Sequence, residues 1–254
     1  DSGGGLYKIK GGVGHSDWSA ESMQPHLADK TLEYLDENKD SDKPFFLYMA
    51  LTAPHIPLFP SPEFKGKSKI GDYGDLVMMI DDIVGRINQK LKEIGKYDDT
   101  IVMFAADNGC AGYINMGQIN KKGHYPSYIY RGYKSHGWEG GHRIPFILSW
   151  GDRYSRRTDN SLVSLTDLYA TFADMLGYRA DAGEAEDSYS FWPILNGTGN
   201  SSRTDLIATS GAGYFTYRTP QFKLIFNAGN GSAEEYRIEG RPSLQLYDMV
   251  SDPE

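Results

Sequence analysis

The stretch that decides the fold runs from Thr100 to Pro145, opening with TIVMFAADNG (Thr100–Gly109) and closing with YKSHGWEGGHRIP (Tyr133–Pro145). Ile101 to Ala106 is a short apolar run of β-branched and large residues that stops at Asp107, Asn108 and Gly109. Such a run reads as a buried strand that delivers two oxygen-bearing side chains at its carboxyl end. A carboxylate beside a side-chain amide, with a glycine to let the chain turn away, suits a hard cation such as Ca²⁺ or Mg²⁺. The same tripeptide is also ordinary turn chemistry, because Asn and Asp bond their own backbone. Company adds chemistry: from Gly109 to Arg143 stand Lys121, Lys122, Arg131, Lys134 and Arg143 against the single acid Glu139, with His124, His136 and His142 interleaved. A cation-binding corner therefore runs into an anion-binding loop.

Working outward, the whole chain is acidic while this loop is basic. The 254 residues carry a net charge of −8, with 39% hydrophobic, 13% aromatic and 24% charged residues, which is the balance of a globular α/β domain with a real core. The sign of the charge argues against a nucleic-acid partner, whose phosphates would need neutralising. An anionic ligand must be met by a local basic pocket instead. The single cysteine, Cys110, rules out an intrachain disulfide and a thiolate zinc site. No apolar run approaches the roughly 20 residues of a membrane-spanning helix. The chain opens on Asp1 without an initiator Met, which reads as a processed or truncated start.

Before the deciding stretch, Asp1 to Gln24 is glycine-rich and polar, so loop; His15 and Asp17 offer ligands there but suit a solvated surface. Ala28, Leu32 and Leu35 recur at helical spacing up to Asn38, predicting a helix. FFLYMAL (45–51) reads as a buried strand, followed by Ala53-Pro54-His55-Ile56-Pro57. Two prolines around His55 predict an extended, inflexible segment that aims an imidazole. Leu76, Met79, Ile80, Ile83, Ile87, Leu91 and Ile94 form the stripe of a long amphipathic helix from about Asp75, closed by Gly95. Strand, helix and the Ile101 strand make a βαβ unit with parallel strands, whose carboxyl ends would bring His55, Asp107 and Asn108 to one crevice.

After the basic loop, Pro145 to Trp150 predicts a third strand. Ser164 and Asp167 predict a capping box for a helix carrying Leu165, Leu168, Tyr169, Phe172 and Met175 and ending at Gly177. From Asp205 the short runs LIATS, YFTYR, FKLIFN and LQLYDM, spaced by Gly, Pro and Asn, predict a small antiparallel sheet. His136, two residues from Lys134, is placed to line a pocket, and Trp138 can stack on a sugar ring, although an aromatic beside a glycine pair also suits packing. His142 and Arg143 read as structural.

The ordered set FFLYMALTAPHIP, TIVMFAADNG, YKSHGWEGGHRIPFILSW and SLTDLYATFADMLG resembles the formylglycine-dependent sulfatases of the alkaline-phosphatase superfamily, from about Leu27 to the terminal LYDMVSDPE. The resemblance implies an α/β fold: an alkaline-phosphatase-like sandwich with a mostly parallel central sheet over residues 1–200, and a small C-terminal antiparallel sheet in a subdomain over 201–254. It implies that Asp107 and Asn108 bind the active-site Ca²⁺, that Lys134 contacts the sulfate, and that His55 lies near the sulfate and the leaving oxygen. A sulfate-ester substrate, with sulfated carbohydrate among the options, and a periplasmic or secreted location follow from the same likeness.

The departure is equally definite. The family makes its formylglycine nucleophile from Cys or Ser in a Cys/Ser-x-Pro-x-Arg signature, and this sequence contains none. The paired N-terminal aspartates that complete the family's calcium site are also absent. The chain is therefore expected to be the C-terminal part of a sulfatase, with the nucleophile on an N-terminal segment of the same protein, and inactive by itself. Two alternatives stand beside this: a phosphatase or phosphodiesterase of the same superfamily, and a non-catalytic binder of sulfated glycans. Asn108 disfavours the first, since two-metal enzymes suit an imidazole there.

Overall fold

A computed structural model describes residues 16, 19–154, 156–181, 183–232 and 243–253; His15 and Asp17 lie outside them. The chain divides into two units. The first takes in the described residues up to Phe104, then Ala111–Tyr125 and the segment from Phe146. Its helices are α1 (Met23–Glu37), α2 (Asp72–Glu93) and α3 (Met116–Lys121), and its strands β1 (Ile101–Ala105) and β2 (Phe146–Trp150) pair as a two-stranded sheet. The core is where the apolar stripes of α1 and α2 meet: Ala28, Leu76, Met79 and Ile83 are buried with Phe64, and Met49, Leu51 and Leu58 pack around them. The α2 stripe predicted from spacing is the one that is buried. Its ends are set by local chemistry. Asp75, fully buried, accepts from the amides of Gly66 at 2.7 Å and Ser68 at 2.6 Å, and Gly95 adopts the left-handed conformation (φ 69°) past the last turn.

Two expectations need correction in this unit. Phe45 to Leu51 forms no strand ladder; its side chains alternate, with Phe46 and Tyr48 74% and 83% exposed while Met49 and Leu51 touch the core. The run is buried on one side only, so its continuous hydrophobicity does not mark a strand covered on both faces. The segment around His55 is bent rather than extended: both X-Pro peptides flanking it are cis, and the His55 amide donates to the Thr52 carbonyl at 3.1 Å.

The second unit comprises Ala105–Cys110, Pro126–Pro145 and the described residues from Arg156 onward. It holds α4 (Glu139–His142), α5 (Leu168–Leu176) and α6 (Trp192–Leu195), and the strands β3 (Leu206–Thr209), β4 (Phe215–Arg218), β5 (Phe222–Ile225) and β6 (Gln245–Asp248). The four strands lie in the order β3-β4-β5-β6 and every pairing is antiparallel, as the four runs of alternating residues predicted. One face carries Thr216, Lys223 and Ile225 inward; on the other Ile207, Tyr217, Leu224 and Leu246 stand in register across all four strands. The capping box is present: Ser164 accepts at its side chain while its own amide donates to Asp167 at 2.8 Å. Asp167, fully buried, also receives Arg203, whose Nε and Nη2 approach its oxygens at 2.7–3.1 Å. Gly177 (φ 68°) ends α5.

Candidate functional site

The site is built where the turn after β1 meets the KSHGWEGGH segment, all within the second unit. Two backbone bonds join them: the Lys134 amide donates to the Cys110 carbonyl at 2.8 Å, and the Gly109 amide donates to the Gly141 carbonyl at 3.0 Å. The approach leaves no space for a side chain at Gly109, where a Cβ would stand 1.9 Å from the Gly140 oxygen. The glycines of Asp-Asn-Gly and Glu-Gly-Gly are thus a matched pair. Asp107 is exposed, and Asn108 is half-buried with its amide nitrogen donating to the Gly109 carbonyl at 3.0 Å. That leaves a carboxylate and an amide oxygen for a cation. Lys134 is half-buried, and no hydrogen bond or ion pair holds its ammonium among the described residues.

The oxygen pair fits calcium as part of a shell, not as the whole of one. Ca²⁺ takes six to eight oxygens, and among the described residues no three or more His, Cys, Asp or Glu side chains gather as a metal cluster.

The KSHGWEGGH segment rests on the antiparallel sheet. Gly211 donates to the Ser135 carbonyl and Gly137 to the Asn230 carbonyl, each at 2.8 Å. His136 is buried, 4.0 Å from the Tyr133 ring centroid, and its Nδ1 accepts from the Tyr133 amide at 3.4 Å. Burial and the nearby Arg131 push its pKa down. The Trp138 indole N–H donates to Gln245 at 3.0 Å, and the Arg131 guanidinium covers the ring at 4.0 Å. Both side chains are thus engaged by the protein. His55 belongs to the first unit; it is exposed, with Nδ1 2.7 Å from the Ile56 carbonyl and its ring edge-on to Tyr113 at 5.5 Å.

Sequence reasoning missed the charged group beneath the site. Glu139, buried, receives Lys223 from β5 at 3.1 Å, with Arg143 at 3.4 Å and Arg218 from β4 at 3.6 Å. Lys223, 2% exposed, also approaches His142 Nδ1 at 3.2 Å, while His142 Nε2 lies 3.1 Å from the Thr209 carbonyl. An ammonium can only donate, so Nδ1 accepts and Nε2–H donates, which is the neutral imidazole. Burial and Lys223 push the His142 pKa down, in agreement. Burial raises the Glu139 pKa, but Lys223, Arg218 and Arg143 outweigh it and hold the carboxyl below its usual range. Burial pushes the Lys223 ammonium down. The available signal was Lys223 itself, set on the same face as Ile225 in an alternating strand, where a cation implies an acid partner.

Similarity to known proteins identifies the family. The family profile described as Sulfatase matches residues 13–178. The chain is 31% identical over 243 residues to an N-acetylgalactosamine-6-O-sulfatase of Bacteroides thetaiotaomicron, covering 93% of this chain and 47% of that protein. It is 32% identical over 223 residues to an arylsulfatase of Hemicentrotus pulcherrimus, covering 87% of this chain and 39% of that one. A solved Bacteroides thetaiotaomicron sulfatase, from work on the metabolism of multiple glycosaminoglycans, superposes with a TM-score of 0.81 at 29% identity over 93% of this chain and 50% of that chain. The chain spans about half the length of the curated relatives it matches. With the profile covering well over half of its residues, from ahead of α1 to the end of α5, the chain belongs to the sulfatase family.

Proposed function

We propose that the protein containing this chain hydrolyses sulfate esters, and that this chain supplies the cation oxygens and the anion-binding cation of the active site. The observation that carries the reading is the double stitch between the Asp-Asn-Gly turn and the Lys134 segment. It brings a strand-end oxygen pair and a lysine with no partner among the described residues to neighbouring backbone positions.

In this reading Asp107 and Asn108 hold Ca²⁺, and the Lys134 ammonium bonds a sulfuryl oxygen and offsets the charge that builds there. Bound calcium would supply further positive charge against the sulfate oxygens. His55 donates a proton to the departing alcohol oxygen, a role in keeping with its exposed imidazole. The nucleophile, a formylglycine, and the remaining calcium ligands come from a segment beyond this sequence, in keeping with the missing signature and the half-length coverage. The mostly parallel central sheet and a periplasmic or secreted location belong to the same proposal. The names of relatives at 30–31% identity make a 6-sulfated N-acetylgalactosamine the first natural substrate to try.

The test is turnover by the full-length protein on an aryl sulfate, an aryl phosphate and a 6-sulfated N-acetylgalactosamine. Sulfate-ester hydrolysis is expected to dominate, and Lys134→Ala to lower kcat by about 10²–10³-fold, the scale of a lost oxyanion donor. Faster phosphate hydrolysis would assign the protein to the phosphatase alternative. Binding without turnover of any ester would leave the glycan binder.

A further inference from the structure

The pair Glu139–Lys223 is an expensive one to keep. Both side chains are buried, and a buried ion pair is seldom more stabilising than well-packed apolar residues of the same volume. Arg218 adds to the cost: its Nε and Nη1 are buried without a hydrogen bond among the described residues, so charge alone draws it to Glu139, 3.6 Å away. Three cations from β4, β5 and the loop after α4 therefore converge on one carboxylate, while Lys223 is shared with His142.

What this arrangement fixes is the backbone that follows. Glu139 opens α4, and Gly140, the next residue, donates to the Arg131 carbonyl at 2.8 Å. Gly141 then receives the Gly109 amide, with Gly109 and Gly140 too close to admit a methyl group. Gly109 adjoins Asn108. No flexible side chain intervenes between the buried carboxylate and the turn that carries the two oxygens, so displacement of Glu139 displaces that turn.

We propose that Glu139 and Lys223 are a positioning pair through which the antiparallel sheet sets where Asp107 and Asn108 stand, and thereby the calcium affinity of the site. The proposal rests on the assignment of those two oxygens to calcium made above. It extends the functional unit from the strand-end turn to a lysine more than a hundred residues along the chain.

The test is calcium binding by calorimetry on the full-length protein, with thermal unfolding of the same samples. Glu139→Gln and Lys223→Met are each expected to weaken calcium binding by about 10–100-fold, the range for groups that orient metal ligands. The double variant should bind no more weakly than the weaker single, because the two act as one device. A lower melting temperature with calcium affinity within about twofold of wild type would make the pair structural only and overturn the proposal. Should the variants not fold, amide exchange of the wild-type protein with and without calcium decides. Protection gained in both 105–110 and 215–225 supports the coupling, and protection gained in 105–110 alone overturns it. Failure of the underlying assignment would look different: wild type would bind no calcium, or Asp107→Asn would bind it as tightly as wild type.

Discussion

At the scale of single residues, the glycine pair makes the sharpest demand. A methyl at Gly109 would stand 1.9 Å from a backbone oxygen that has nowhere to go, so Gly109→Ala should cost at least the ~1–3 kcal/mol of an overpacked core. A denaturant midpoint unchanged from wild type would mean that the two turns are not in contact. The titrating groups of the 136–142 segment give a second prediction. His142 and His136 have folded pKa values below the ordinary 6.5, so the unfolded chain binds protons first as pH falls through 6.5, and stability drops. Glu139, depressed below 4.5, contributes stability that is present above that value and lost as pH falls through its folded pKa. Melting temperature should therefore fall from pH 7 to 5 and again below about 4.5, the unfolded value; His142→Gln should flatten the first step. Asp107, Asn108, Lys134 and His55 stood out as candidates because each sits beside backbone punctuation. Lys223, Arg218 and Gln245 were not, since their partners lie on the far side of a long chain separation and one sequence does not display contacts.

Among the elements, α2 and α5 were readable from spacing, capping residues and a closing glycine, all of which are local. The antiparallel strands were readable from alternation for the same reason. FFLYMAL was misjudged because an apolar run reports burial, whereas a strand needs a ladder partner, which is a property of the rest of the molecule. The capping box at Ser164 proved to be one face of a larger junction. Asp167 caps the helix, accepts from the Tyr189 amide at 2.9 Å and pairs with Arg203, both side chains all but fully buried. Removing one partner leaves a buried charge unpaired, so Arg203→Ala should destabilise the second unit by about 3–5 kcal/mol. Chemical denaturation measures this, and a loss below about 1 kcal/mol, the scale of an exposed pair, would contradict the burial.

For the whole molecule, an acidic chain carries one local basic loop, and the C-terminal sheet is the bed of its KSHGWEGGH segment. About half of the relative's length lies outside the matched region, and the proposed function looks there for the nucleophile and further calcium ligands. The proposal is that this chain supplies an oxygen pair and a lysine that serve a single sulfuryl group. Its most direct measurement is calorimetric binding of inorganic sulfate to the calcium-loaded, full-length protein, wild type against Lys134→Ala. The variant is expected to bind sulfate about 10–100-fold more weakly, the equivalent of one lost charge-assisted hydrogen bond. Equal affinity in the two proteins would contradict it.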